Sequence, residues 1–117
     1  MSGSKRLLAL RGDAALVARV RAGDAAAFEV LYERHLPAML SFCLHMLVSP
    51  EEGEDAVQNV FLSAHRQLLS DAREIKLKPW LYAIARNRCL SMLRARRTGQ
   101  PGSARGARTV RQPEGRG

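Results

Sequence analysis

Four acids crowd together at Glu51, Glu52, Glu54 and Asp55, and a cluster of that kind could hold a cation or supply paired carboxylates for proton transfer. Three histidines (His35, His45, His65) and two cysteines (Cys43, Cys89) are the other residues with ligating or nucleophilic chemistry. None of the histidines stands at ligand spacing from a cysteine, and no Gly-rich phosphate loop, HExxH or Ser/His/Asp set is present. The acids directly follow Ser49-Pro50, a helix start, where negative charge complements the positive end of the helix dipole. No enzyme, metal site or cofactor is expected. A different chemistry lies downstream. Between Arg73 and Arg97 eight Lys/Arg stand against one acid, Glu74, a density suited to neutralising phosphates.

The charge is unevenly placed. The net +8 divides into seven Lys/Arg against nine Asp/Glu over residues 1–71, and twelve against two over 72–117. A polyanion partner for the C-terminal half follows, nucleic acid more readily than membrane. No stretch approaches the roughly 18 apolar residues of a membrane span, and no signal peptide opens the chain, so a cytoplasmic protein with reduced, buried cysteines is expected.

The elements that must position these residues read as helices throughout. Neither an internal repeat nor an alternating strand pattern occurs. Asp13 is a good N-cap for a first helix that ends at Gly23, with Leu16, Val17 and Val20 on its apolar side. Asp24 can cap the next, which carries Phe28, Leu31, Tyr32 and Leu36 at helical spacing. Pro37 is expected to break or kink it, so that a separate, central and most buried helix runs from there to Val48. Ser49, Pro50 and Glu52 form a capping-box start for a helix ending near Leu69, with Gly53 placing the regular portion nearer Glu54. After a polar loop, Pro79 opens a last helix reaching about Arg97. The fold class expected is all-α, a compact bundle of four to five helices. Residues 1–12 read as a flexible N-terminus, 13–97 as the helical domain, and 98–117, rich in Gly, Pro and Arg, as a disordered basic tail.

Two helices carry unusual outer faces. On the first, Val57, Val60, Phe61, Ala64 and Leu68 face a core, while Asp55, Gln58, Asn59, Leu62 and Arg66 face away. An exposed leucine among polar groups suits a small protein–protein hot spot. On the last helix Trp80, Asn87, Ser91 and Arg94 share one stripe, and Leu81, Ala85, Cys89 and Met92 share another suited to a core. The polar stripe, with the basic run, can bind phosphates and hydrogen-bond to bases.

Together these segments resemble region 2 of bacterial extracytoplasmic-function (ECF) sigma factors. The family pattern is an acid pair, Asp-x-x-Gln-x-x-Phe, then Trp-Leu-x-x-Ile-Ala-x-Asn and a basic run. Here its elements are Glu54 and Asp55, Gln58 and Phe61, Trp80-Leu81, Ile84-Ala85, Asn87, and Arg94 to Arg97. Upstream, "GDAAAFEVLYERH" is similar to the family's leading segment. The likeness covers about residues 13–97.

That resemblance implies a transcription initiation factor domain with two partners. Asp55, Gln58 and Asn59, joined by Leu62 and Arg66 on helical geometry, would dock on the clamp coiled coil of the largest subunit of core RNA polymerase. The loop and last helix would engage the non-template strand of the −10 promoter element, with Asn87 in the base pocket and residues 71–79 at its rim. Lys76, Lys78, Trp80, Arg88, Ser91, Arg94, Arg96 and Arg97 complete the expected DNA set, with Arg86 a further phosphate candidate. An anti-sigma partner, often membrane-tethered, would cover the same surfaces. Three positions depart from the pattern: His65 where an aromatic is common, Ser91 where an acid is common, and Asp71 near a usual loop aromatic. They bear on the −10 sequence preference, not on the fold. Nothing after Thr98 could form the family's helix-turn-helix domain. The tail therefore reads as an interdomain linker cut short, or as the end of a natural single-domain variant. Two alternatives are a sigma-like decoy or adaptor that uses the same docking face, and a generic basic helical nucleic-acid binder.

Overall fold

The structure, a computed structural model, describes residues 2–98, with side chains from Lys5 onward. Five helices follow in chain order: α1 (Ser2–Leu8), α2 (Asp13–Arg21), α3 (Ala25–Leu47), α4 (Pro50–Ser70) and α5 (Leu77–Arg97). They form the all-α bundle that the periodicity predicts, with no strand among the described residues. The expected tail lies, beyond Thr98, outside the described residues.

Local signals set most of the boundaries. The Asp24 side chain accepts from the N–H groups of Ala26 and Ala27, capping α3. Ser49 Oγ accepts from Glu52 N at 3.3 Å and Pro50 takes the first position of α4, where its missing N–H costs nothing. Gly23, at φ 97°, supplies the left-handed residue after α2.

Five expectations change. The N-cap of α2 is Gly12, one residue before Asp13. Asp13 opens the helix instead, and its carboxylate is claimed from α3: Arg34 Nη1 donates at 2.8 Å and His35 Nε2 sits 3.0 Å away. Pro37 does not divide α3, which runs unbroken through it. Proline removes the hydrogen bond to the carbonyl of Glu33, but both residues are exposed, so water can serve the orphaned oxygen. The first twelve residues, expected to be flexible, contain α1, whose Leu8 is buried in the core and whose Lys5 reaches Glu33 at 2.8 Å and Glu29 at 3.3 Å on α3. Only the Ser49 half of the capping box forms, because the Glu52 carboxylate pairs with Arg96 of α5. Gly53 lies inside α4, buried against α3.

α3 is the central element and packs against each of the other four. Its buried Ala27, Val30, Leu31, Met39, Cys43 and Leu47 meet Leu16 and Val20 of α2, Val57, Val60, Phe61, Ala64 and Leu68 of α4, and Leu81, Ala85 and Cys89 of α5. Aromatic rings seal the flanks. Phe28 and Tyr32 make edge contacts with Phe61 at 6.5 and 4.9 Å, and Phe42 meets Tyr82 at 5.4 Å. Cys43 and Cys89 are buried free thiols facing each other across α3 and α5, and their mutual hydrogen bond, with burial, pushes the Cys43 thiol up.

Candidate protein and nucleic-acid interfaces

The core face of α4 fixes what its other face can present. With Gly53, Val57, Val60, Ala64 and Leu68 buried, Asp55, Gln58, Leu62 and Arg66 are left exposed on the far side and Asn59 half-exposed. The sequence grouping of these five is therefore the grouping in space. Leu62 is 64% exposed, a large apolar side chain that the bundle does not use. Asn59 Nδ2 donates to the Asp55 carbonyl at 3.1 Å, one turn back, which holds the amide along the helix. The carboxylates of Glu51, Glu54 and Asp55 and the Arg66 guanidinium make no ion pair among the described residues, in contrast to Glu52. His65 belongs to the bundle margin: its ring stacks on Phe28 with centroids 4.4 Å apart. That contact accounts for an imidazole where the sequence pattern leads one to expect an aromatic.

α5 sorts its basic residues less simply. Asn87 and Arg94 are exposed on one stripe, with Trp80 and Ser91 half-buried along its edge. Arg86 and Arg97 stand exposed on the adjoining row, eleven residues apart and so nearly in line. Trp80 also packs on the core, so its ring can offer only part of its surface. Lys78 and Arg96 each lie nine residues from Asn87, half a turn round the helix. Lys78 is exposed there, and Lys76 is exposed at the N-cap. Arg96 is engaged within the bundle: it pairs with Glu52 on α4 and donates to the Leu47 carbonyl at the end of α3 at 3.4 Å. Arg88 is half-buried with its Nε shielded from solvent. Asn87, Ser91, Arg94 and Trp80 are thus brought together, with Arg97 beside them, while Lys78, Arg88 and Arg96 are not.

The loop joining α4 to α5 is held at both ends. Arg21 of α2 donates through Nη2 to the Arg73 carbonyl at 2.7 Å and through Nε to the Leu68 carbonyl at 3.3 Å. Asp71 accepts from the Arg73 N–H at 2.9 Å, and that backbone bond, aided by the nearby guanidinium, holds its carboxyl below the usual range. Ile75 and Leu77 then tuck toward the core. Arg21 escaped sequence reading because its partners are backbone carbonyls about fifty residues away.

No group of three or more His, Cys, Asp or Glu that could hold a metal occurs among the described residues. A shallow cleft of about 440 Å³ is lined by Lys5, Arg6, Ala9, Val30, Glu33 and Arg34, none of them on the two interfaces. No helix among the described residues is long and apolar enough to cross a membrane.

The sequence that builds this bundle has a counterpart among known families. The profile of sigma-70 region 2 matches residues 31–98, and the chain belongs to that family. It is 37% identical over 84 residues to the ECF RNA polymerase sigma factor SigM of Mycobacterium tuberculosis, covering 72% of this chain and 43% of that protein. It is 31% identical over 97 residues to the RNA polymerase sigma-H factor of Pseudomonas aeruginosa, covering 83% and 50%. To the ECF RNA polymerase sigma factor SigW of Bacillus subtilis it is 28% identical over 81 residues, covering 69% and 43%. The chain spans half or less of the length of each of these relatives. No solved structure matches it.

Proposed function

We propose that this chain is a transcription-initiation module, without enzymatic activity, that docks on core RNA polymerase through the outer face of α4 and binds the non-template strand of the −10 element through α5 and the loop before it. The observation that carries the reading is the separation of two unlike faces on neighbouring helices. One keeps Asp55, Gln58 and Leu62 exposed, and the other gathers Asn87, Ser91 and Arg94. The names of the relatives, RNA polymerase sigma factors, support the first of these partners.

The mechanism is differential binding. A duplex offers α5 its phosphates and groove edges, whereas an opened strand also offers unpaired base edges to the Asn87 amide and a π-face to Trp80. Extruding a base costs on the order of a few kcal/mol. Contacts made only with the single strand offset that cost, so melting follows from capture of the exposed strand. Arg94 and Arg97 add phosphate neutralisation along the same path. An anti-sigma partner would act by covering either face.

The test has two arms. Asp55→Ala with Gln58→Ala should abolish most binding to core polymerase, and undiminished binding would return the chain to the class of generic nucleic-acid binders. Asn87→Ala should reduce the preference for a −10-like single strand over a scrambled one more than it reduces overall affinity. Loss of both to the same extent removes the base-pocket role. Intact polymerase binding with no strand preference in the parent chain would favour the decoy or adaptor reading.

A further inference from the structure

We propose that Arg21 is a positioning residue for the candidate −10 pocket: from α2 its guanidinium spans the junction of α4 and the following loop and fixes the path of residues 71–76 before a strand arrives. This role rests on the strand-binding reading above and goes beyond it, to a residue outside α5 and the loop. Left to itself the loop has little to hold it. Residues 71–76, Asp-Ala-Arg-Glu-Ile-Lys, include neither glycine nor proline. Among the described residues, no backbone–backbone hydrogen bond involves residues 71–75. The helix before the loop is also poorly ended. α4 has no basic residue in its last turn, and its C-cap, Asp71, is an extended acid where the helix dipole favours a cation.

Arg21 supplies what both lack. Its Nε donates at 3.3 Å to the Leu68 carbonyl, one of the last four of α4, which the helical ladder leaves unpaired. Its Nη2 donates at 2.7 Å to the Arg73 carbonyl, inside the loop. A helix cap would need only the first contact, yet the shorter one goes to the loop. The rigid fork thus holds the end of α4 and the loop in one fixed relation. Asp71 accepts from the Arg73 N–H at 2.9 Å, and that bond, with the charge of Arg21 adding to it, holds the Asp71 carboxyl below its usual range. Half-buried Ile75 and buried Leu77 anchor the far end. The backbone is pinned at each of these points, while the side chains of Arg73, Glu74 and Lys76 stay exposed. A loop ordered in advance loses little backbone freedom when it meets the strand, which is how preorganisation raises affinity.

The experiment measures binding of the 117-residue chain to a −10-like single-stranded oligonucleotide and to a scrambled one over a series of salt concentrations. It is run well below the unfolding midpoint of every variant. Arg21→Met keeps an unbranched side chain and removes both donors. It should weaken binding of the −10-like strand about tenfold, the effect of ordering roughly one further residue on binding. The preference over the scrambled strand should fall, the salt slope should stay as in the parent, and amide exchange at Arg73 should accelerate. Arg21→Lys returns the charge but not the fork, so it should recover the midpoint and not the strand preference. If Arg21→Lys recovers both, Arg21 only caps α4 and the positioning role is overturned. A salt slope lower by about 0.7 in Arg21→Met would place Arg21 on a phosphate and overturn it equally. If Arg21→Met keeps the parent's affinity and preference while Asn87→Ala loses the preference, the positioning role falls and the strand-binding reading stands. If the parent itself shows no preference, the strand-binding reading fails and this role with it.

Discussion

Single residues carry structural information here that their types conceal. Gly53 resembles a helix-weakening residue in the first turn of α4, and replacing it by alanine would by propensity alone stabilise the helix by about 1 kcal/mol. The packing reverses that sign. A Cβ at this position would fall 2.5 Å from Leu44 Cδ2 and 3.2 Å from Leu44 Cα, and the backbone atom cannot swing aside. Overpacking of that kind costs about 1–3 kcal/mol, so Gly53→Ala should lower the denaturant midpoint, with m unchanged if the fold is retained. Val48 presents the opposite case. It is a β-branched residue at φ 67°, fully helical α3 behind it and the Ser49 cap ahead, and its side chain is exposed. The left-handed conformation costs an L-residue about 1–2 kcal/mol, against about 0.5–1 kcal/mol of extra chain entropy for glycine. Val48→Gly should therefore leave the thermal midpoint higher by up to a few degrees. A lower midpoint would mean that the valine makes a packing contribution its exposure does not reveal.

The ends of elements were legible from the chain where they depend on neighbours in sequence, as at Asp24, Gly23 and Ser49-Pro50. Pro37 was misleading for the same reason: the local rule sees a missing hydrogen bond, not the solvent on that side of α3. How the elements dock was not legible, because the fastening groups stand far apart in the chain. Asp13 is twenty-two residues from His35 and Arg21 is fifty-two from Arg73. The Asp13 site locks the start of α2 to α3, and Arg34 extends it by donating to the Ala9 and Arg11 carbonyls at 3.1 and 2.8 Å. Partial burial pushes the Asp13 carboxyl up, but hydrogen bonds from His35 and Arg34 outweigh it and hold the group below its usual value of about 3.8. A carboxyl depressed in the folded state stabilises the fold above its unfolded pKa, and that contribution is lost as pH falls through the folded pKa. Acid titration of stability should thus show a loss beginning near pH 4 and continuing below it. In Asp13→Asn that portion of the profile should flatten, with lower stability at neutral pH. An unchanged acid limb would show that other carboxylates carry the effect.

At the scale of the whole molecule, the proposed function gives α5 two tasks, bundle packing and nucleic-acid binding, and assigns them to different sides of one basic run. Composition shows the run but cannot divide it, because the division depends on where α3 ends and α4 begins. Arg94 and Arg97 project on the sides near Asn87, whereas Arg96 spans to Glu52 and the Leu47 carbonyl and so ties three helices at one end. Both partners of that pair are nearly half exposed, which limits the ion pair to about 0.2–1 kcal/mol. Its more distinctive consequence is for DNA binding. Each phosphate neutralised on a single strand contributes about 0.7 to the slope of log affinity against log salt concentration. Arg94→Ala should reduce that slope by about this amount and leave the unfolding midpoint unchanged. Arg96→Ala should leave the slope as in the parent but lower the midpoint, and Glu52→Ala should lower it similarly. The double variant should lose less than the two single losses combined, since both remove one interaction. Equal slope losses for Arg94→Ala and Arg96→Ala would place Arg96 on the phosphates instead, and would mean that strand binding opens its link to Glu52.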